Sequence, residues 1–96
     1  TRPRLIVEHS GLLRVGAELA LDDVLTVGRA PENDLVLDDQ FVSAVHARLE
    51  RHGTAVTVAD LGSTNGTFVN ERPVRRADLV PGARLRIGET TFLYEA

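Results

Sequence analysis

Residues 60–70 read DLGSTNGTFVN, a turn-forming cluster of hydroxyl and amide side chains that interrupts two apolar runs. The dipeptide Asn65-Gly66 is the strongest short-range signal for a β-hairpin, and Gly66 is expected to supply the positive φ of the turn. Polar side chains on a tight turn are well placed to bind a ligand, because the flanking strands hold the turn still. The segment therefore predicts a β-rich fold with a binding loop at Ser63, Thr64 and Asn65.

Short alternating or apolar runs continue along the chain on both sides of this segment. Turn residues separate them at intervals of roughly 8–12 residues, and no window carries a sustained apolar face at helical spacing. The pattern predicts about ten short strands in an all-β sandwich or barrel, with all four prolines between strands. The clearest runs are Arg4–Glu8, Ala17–Leu21, Val24–Val27, Leu35–Leu37, Ala47–Arg51, Thr54–Ala59, Thr67–Val69, Arg84–Ile87 and Thr90–Tyr94. The second run is also compatible with a weak helical turn.

Size and composition set the class of protein. The 96 residues are enough for one domain, and the first residues look like a trimmed terminus, so we expect residues 1–96 to be a single domain cut from a longer protein. The chain has no Cys, which excludes disulfides and thiolate metal sites and fits a cytoplasmic location. No apolar run is long enough for membrane insertion. We expect the isolated domain to be monomeric.

The charge pattern disfavours one partner class and constrains the chemistry of any anion site. The net charge of −3 disfavours nucleic acid, whose binding proteins are usually basic. All eleven basic residues are Arg, which is typical of a high-GC bacterial genome and means that any anion site must use guanidinium groups. Arg72, Arg75 and Arg76 lie near Pro73; such a run usually forms a solvated loop, with a contact surface for an acidic partner as the alternative.

Three polar clusters stand in three predicted loops. They are Gly28–Asp34, Ser43–His46 and Ser63–Gly66. Alternate connections of a sandwich emerge at the same end, so the three clusters are able to converge although they are distant in sequence. An Arg fork, several hydroxyls and an amide form the donor set that a phosphate group requires.

At these residues the chain resembles the forkhead-associated (FHA) domain family, whose members bind phosphothreonine. Gly28-Arg29, Ser43-x-x-His46 and the stretch 62–70 match the family pattern within a segment that runs from Val27 to about Ile87. The resemblance implies a two-sheet β-sandwich of about eleven short, mostly antiparallel strands, with the binding site on loops at one end.

The resemblance also implies roles for individual residues. Arg29 and Ser43 would contact the phosphate, Thr64 the phosphothreonine region, and Asn65 the main chain of the ligand. Residues that would support the site are Gly28, His46 and Gly66. Gly28 would let the chain swing so that Arg29 points into the loops, and His46 would tie the loops together. The implied partners are phosphothreonine-containing proteins and a Ser/Thr kinase or its substrates.

An enzyme is disfavoured on the residues themselves. The chain has no nucleophile beside a base, no paired acids suited to a cleft and no Gly-rich strand-to-helix phosphate cradle. No second His or carboxylate stands at metal-ligand spacing from His46. We therefore expect a protein-interaction module in kinase signalling, with no catalysis, cofactor or metal. Phe92 and Tyr94 are expected in the core, whereas Phe41 and Val42 either pack under the second cluster or contact residues that flank the phosphothreonine.

Two departures from the family pattern leave alternatives open. Ala44 stands where a second phosphate-binding side chain often follows Ser43, so affinity is weaker or another residue such as Arg48 takes over. Ala44 also motivates an alternative function, a degenerate FHA-like domain for phospho-independent interaction or oligomerisation. Glu71 follows Asn70 at a position where the family often has Gly, which predicts a wider turn at this point. A third reading, a secreted glycosylated adhesion domain, rests on the sequon at Asn65, with nothing in the chain to support secretion.

Overall fold

The computed structural model describes residues 2–96, and in that range the chain forms strands, turns and bends but no helix. Consequently no helix in this range is long and apolar enough to cross a membrane. The eleven strands are β1 (Arg4–His9), β2 (Glu18–Ala20), β3 (Val24–Gly28), β4 (Leu35–Val36), β5 (Ala47–His52), β6 (Ala55–Asp60), β7 (Thr67–Val69), β8 (Arg72–Val74), β9 (Arg76–Leu79), β10 (Arg84–Ile87) and β11 (Thr90–Glu95).

The strands form two sheets that pack face to face. The first sheet has the order β2-β1-β11-β10-β7-β8, and the second has the order β4-β3-β5-β6-β9. The short pair β3–β4 is parallel, and the other strand pairs of the described residues are antiparallel. The predicted two-sheet, mostly antiparallel β-sandwich is therefore confirmed.

The core follows from the period of two along each strand. In β11 every second residue is buried, and Phe92 and Tyr94 are almost fully enclosed. Leu5 and Val7 of the neighbouring strand β1 are also buried. Leu49 of β5, in the second sheet, belongs to the same cluster of buried apolar side chains. Phe92 and Tyr94 thus belong to the core, as predicted.

The arginine-rich stretch that was expected to form a solvated loop contains two strands, β8 and β9. Pro73, expected between strands, lies inside β8 opposite Phe68. Because β8 is the outermost strand of its sheet, the missing N–H of proline removes no ladder bond that an inner strand would need. Both strands lie at sheet edges, where exposed polar residues replace the alternation of apolar and polar side chains that would have predicted a strand. The run Ala17–Leu21 forms the strand β2 rather than a helical turn.

The predicted hairpin turn at Asn65-Gly66 is wrong, whereas the positive φ of Gly66 is confirmed at 95°. The strands before and after this dipeptide, β6 and β7, belong to different sheets, so the loop crosses from one sheet to the other. A true hairpin turn lies five residues later at Asn70-Glu71, which have φ values of 51° and 64°. Positive φ at both central residues is the geometry of a two-residue type I′ turn, so the expected wider turn is also wrong.

Candidate functional site

Three loops meet at one end of the sandwich. We call them loop A (29–34, between β3 and β4), loop B (37–46, between β4 and β5) and loop C (61–66, between β6 and β7). Main-chain hydrogen bonds join A to B, since the Arg29 N–H donates to the Ser43 carbonyl at 2.9 Å. They also join B to C, since the Leu61 N–H donates to the His46 carbonyl at 2.9 Å. The expected convergence of the three polar clusters is therefore present.

An open cleft of about 590 Å³ lies between the loops. Its lining residues are Arg29, Ala30, Gln40, Val42, Ser43, Ala44, Thr64 and Asn65. All four residues for which the resemblance implies ligand contact therefore border one space. The three residues expected to support the site are absent from this lining.

Arg29 provides the positive charge of the cleft. Its side chain is 53% exposed, and its Nε lies 3.7 Å from an oxygen of Asp38, whose side chain is 85% exposed. An ion pair at this distance and exposure is weak, because water screens both charges. The guanidinium is consequently accessible to an anion that enters the cleft, and Asp38 is a competitor for it.

The hydroxyl of Ser43 is oriented by loop C. Its oxygen accepts a hydrogen bond of 3.0 Å from the Thr64 N–H. A serine hydroxyl that accepts one bond still carries its own proton, so Ser43 is able to donate that proton toward the cleft. Thr64, which is exposed, brings a second hydroxyl to the same border.

Asn65 is held by loop B. Its amide nitrogen donates to the Phe41 carbonyl at 3.0 Å, which leaves the amide oxygen as an acceptor for a main-chain N–H. The two hydrophobic residues at this point of loop B differ in environment. Val42 is buried beneath the loop and also lines the cleft, whereas Phe41 is 43% exposed.

His46 lies fully buried between loops B and C. Its Nδ1 accepts a hydrogen bond from the Ser43 N–H at 3.1 Å, and its Nε2 lies 2.9 Å from the Gly66 carbonyl. A carbonyl accepts only, so both bonds form together in the neutral tautomer that carries its proton on Nε2. The imidazole thus links the chain at Ser43 to the positive-φ residue that ends loop C.

Asp60, which the sequence motifs did not single out as a site residue, organises loop C. Its carboxylate accepts hydrogen bonds from the hydroxyls of Ser63 and Thr67 and from the main-chain N–H groups of Gly62 and Ser63. Burial raises the pKa of Asp60, but these hydrogen bonds outweigh burial and the pKa lies below its ordinary value of 3.8. The Ser63 hydroxyl also accepts from the Gly66 N–H at 3.0 Å, so Ser63 shapes the loop and does not line the cleft.

Gly28 has a different role from the expected swing of the chain. Its φ is not positive, but a Cβ at this position would lie 2.3 Å from the Ala44 carbonyl oxygen and 2.6 Å from Nδ2 of Asn33. That same Nδ2 donates to the carbonyls of Ala30 and Ala44, at 2.8 Å each. Gly28 is therefore required because loops A and B pack directly on its Cα.

The suggested substitute for a phosphate contact, Arg48, does not border the cleft. It lies on β5 opposite Thr26, and its Nη2 is 3.0 Å from an oxygen of Glu50. Side chains alternate between the two faces of a strand, and the buried neighbours Ala47 and Leu49 direct Arg48 to the outer face. The position after Ser43 remains a methyl group, that of Ala44.

Comparison with known proteins identifies the family. The model of the family described as FHA domain matches residues 25–88. The FHA domain-containing protein FhaB of Mycolicibacterium smegmatis is 43% identical over 90 residues, which cover 93% of this chain and 57% of FhaB. The chain thus spans little more than half the length of this relative.

Solved structures agree with the family match. One, from a structural and functional analysis of phosphothreonine-dependent FHA domain interactions, has a TM-score of 0.87 and 30% identity and covers 100% of this chain and 97% of its own. Another, the FHA domain of a Chlamydia trachomatis protein, has a TM-score of 0.88 and 32% identity and covers 100% and 98%. The family model matches more than half of the residues, over nearly the same segment as the sequence motifs, and the chain belongs to the FHA domain family.

Proposed function

We propose that this chain is a non-catalytic module that binds a phosphothreonine-containing segment of a partner protein in the cleft between loops A, B and C. The observation that carries the proposal is the arrival of Arg29, Ser43 and Thr64 from three loops at one cleft. A structural neighbour from work on phosphothreonine-dependent FHA domain interactions supports the same ligand class.

The chemistry of the cleft matches a phosphorylated side chain. A phosphothreonine carries about −1.5 to −2 charges and three acceptor oxygens. Arg29 would supply the counter-charge with planar N–H donors, and the Ser43 hydroxyl would donate one directional bond. Hydrogen bonds to a charged group contribute roughly 1.5–3 kcal/mol each, so two or three of them separate phosphorylated from unphosphorylated ligand by several kcal/mol.

The main chain of the ligand would be fixed by Asn65. Its amide nitrogen is engaged by Phe41, so its oxygen is the group that would accept an N–H from the ligand backbone. Because this contact is independent of the ligand's sequence, Asn65 would add affinity without selecting flanking residues. The partners that follow from this proposal are cytoplasmic Ser/Thr kinase substrates or the kinase itself, and residues 1–96 would act as one domain of a longer protein.

A second candidate is phospho-independent protein interaction or oligomerisation. Two observations favour it: the methyl group of Ala44 faces the cleft where a further donor is possible, and Asp38 already occupies one side of the Arg29 guanidinium. Binding of matched phosphorylated and unphosphorylated peptides separates the two candidates, since equal affinity supports only the second.

The direct test is Arg29→Ala, with binding of a phosphothreonine peptide measured by isothermal titration calorimetry. We expect a loss of roughly 2–4 kcal/mol, because the phosphate loses its principal counter-charge. Arg29→Lys should recover only part of the affinity, since an ammonium lacks the planar fork. Arg2→Ala is the matched control, because Arg2 is also exposed and ion-paired, to Asp22, but does not border the cleft.

The thermal unfolding midpoint of Arg29→Ala should stay close to that of the parent, since the side chain is exposed and its ion pair is weak. If Arg29→Ala binds the phosphopeptide as tightly as the parent does, Arg29 is not the phosphate ligand and the proposed site is wrong.

A further inference from the structure

The arginines of this chain fall into two groups. Six pair with a carboxylate within 4.0 Å, whereas the other five, Arg14, Arg51, Arg72, Arg75 and Arg76, have no such partner within residues 2–96. Of these five, Arg72, Arg75 and Arg76 are exposed and lie within five consecutive positions. This stretch is the basic run for which a contact surface for an acidic partner is the alternative to a solvated loop. Exposed guanidinium groups without a carboxylate partner attract external anions most strongly.

The strand register places Arg76 in a row with a second arginine. Arg48 lies opposite Ala59, and Ala59 lies opposite Arg76, across the neighbouring strands β5, β6 and β9. Directly opposite residues share one face of a sheet, so both arginines flank a small side chain on the outer face. Neighbouring strands are about 4.8 Å apart, so the two arginine backbones are about 10 Å apart.

This row adjoins the loops that form the cleft. β5 starts directly after loop B, and β6 ends at Asp60, directly before loop C. The Asp60 N–H donates to the Arg75 carbonyl at 2.8 Å, so the corner between β8 and β9 is joined to the base of loop C. The main chain of Arg48, Arg75 and Arg76 therefore lies at the cleft end of the second sheet, and we call the exposed side chains of these three residues the arginine surface.

Charge along the outer face changes sign away from the cleft. The next row of opposite residues contains Glu50 and Asp78 on either side of Thr57. Glu50 contacts Arg48 at 3.0 Å, and Asp78 accepts the Thr57 hydroxyl at 3.0 Å. The face is consequently positive beside the loops and negative behind them, which would hold an acidic segment near the cleft and repel it from the rest of the sheet.

We propose that the arginine surface binds an Asp/Glu-rich segment of the same phosphorylated partner, a second contact that rests on the proposed function of the cleft. From the strand that leads into Arg29 to the strand of Arg76, three strand spacings amount to about 14 Å. An extended chain covers that span with about four residues, so the acidic segment begins about four residues from the phosphothreonine. The positive charge of the arginine surface is complementary to Asp and Glu side chains, and its position beside the cleft favours a segment of the same phosphorylated ligand as the occupant.

The test uses peptides that share one phosphothreonine core and differ in a four-residue extension. The extension is either neutral or Asp/Glu-rich and stands on the N-terminal or the C-terminal side, and each acidic peptide is also made without phosphate. Binding is measured by fluorescence anisotropy at low salt for the parent and for Arg75→Ala/Arg76→Ala. The double variant Arg2→Ala/Arg72→Ala removes the same charge from exposed positions outside the arginine surface and is the matched control.

We expect the parent to bind one acidic peptide about threefold to tenfold more tightly than its neutral counterpart, as exposed charge pairs allow. Arg75→Ala/Arg76→Ala should lose this preference and keep its affinity for the neutral peptide, whereas the control should keep both. Added salt should remove the preference, because it screens exposed charges.

The outcomes separate the two proposals. If the parent binds neutral and acidic phosphopeptides equally, or the control loses the preference as fully as Arg75→Ala/Arg76→Ala does, the arginine surface is not a docking site. If acidic peptides bind through Arg75 and Arg76 with no dependence on phosphate, the proposed function fails and the arginine surface stands. If a single-stranded DNA oligomer binds there more tightly than every acidic peptide, the surface serves nucleic acid and the inference is overturned.

Discussion

Replacement of Gly28 by alanine tests how loops A and B are held together. The added Cβ would lie 2.3 Å from the Ala44 carbonyl oxygen and 2.6 Å from Nδ2 of Asn33, whereas ordinary contacts are 3.4–4 Å. One obstacle is main chain, which no side-chain rotation can move. We expect loop B to be displaced by about 1 Å, with loss of at least one Asn33 hydrogen bond.

The magnitude follows from two contributions. Overpacking in a well-packed region costs about 1–3 kcal/mol, and each lost hydrogen bond about 0.5–1.5 kcal/mol. We therefore expect Gly28→Ala to lower the free energy of unfolding by roughly 2–4 kcal/mol, as measured by urea denaturation. Phosphopeptide affinity should also fall, because Ser43 and Ala44 line the cleft on the displaced loop.

Two other glycines give matched controls. Gly11 has open space around its Cα and no positive φ, so Gly11→Ala should change the stability by less than about 0.5 kcal/mol. Gly62 has open space but a φ of 78°, so Gly62→Ala should cost about 1–2 kcal/mol from backbone strain alone. If Gly28→Ala is as stable as Gly11→Ala, the close packing at Gly28 is not what holds the two loops.

Two further predictions concern carboxylates near the cleft. Asp38→Asn should raise phosphopeptide affinity about twofold to fivefold, because it frees Arg29 from a weak competing ion pair. Asp22→Asn, which alters a similar pair far from the cleft, should have no effect in the same titration. An unchanged affinity for Asp38→Asn would show that Asp38 does not compete with the phosphate for Arg29. Asp60→Asn should destabilise the fold by about 1–2 kcal/mol at neutral pH. Since the folded pKa of Asp60 is lowered, its contribution is fully present above the unfolded value of 3.8 and is lost as pH falls through the folded pKa. Urea unfolding at several pH values should therefore show the parent and Asp60→Asn converge below about pH 4, and a constant difference would contradict this.

Much of the fold could be predicted because alternation is a local property. Runs such as Thr90–Tyr94 show the period of two directly, and burial of Phe92 and Tyr94 follows from it. The alternation pattern did not predict the edge strands β8 and β9, because an edge strand exposes polar residues and tolerates a proline such as Pro73. The sheet that a strand joins depends on tertiary packing, which a local pattern does not contain. The dipeptide Asn65-Gly66 therefore predicts a hairpin, although the loop crosses between the two sheets.

The convergence of the candidate site was also predictable, since Arg29, Ser43 and Thr64 stand in loops that a sandwich brings to one end. The residues that support the site were harder to predict from the sequence. Nothing in the sequence shows that Gly28 is needed for close packing rather than for flexibility, because the obstructing Ala44 carbonyl is sixteen positions away. The outer-face direction of Arg48 is likewise visible only once β5 has a register.

The side-chain hydrogen bonds that shape the three loops come partly from the cleft-lining Ser43 and Asn65 and partly from side chains that do not border the cleft. Asn33, His46 and Asp60 hold the main chain in place, whereas Gln40 and Ala44 face the ligand space and support no loop through their side chains. Substitutions at Gln40 and Ala44 would therefore leave folding intact. Over evolutionary time, lineages that inherit this framework are able to change partners by single steps, each through a stable intermediate protein.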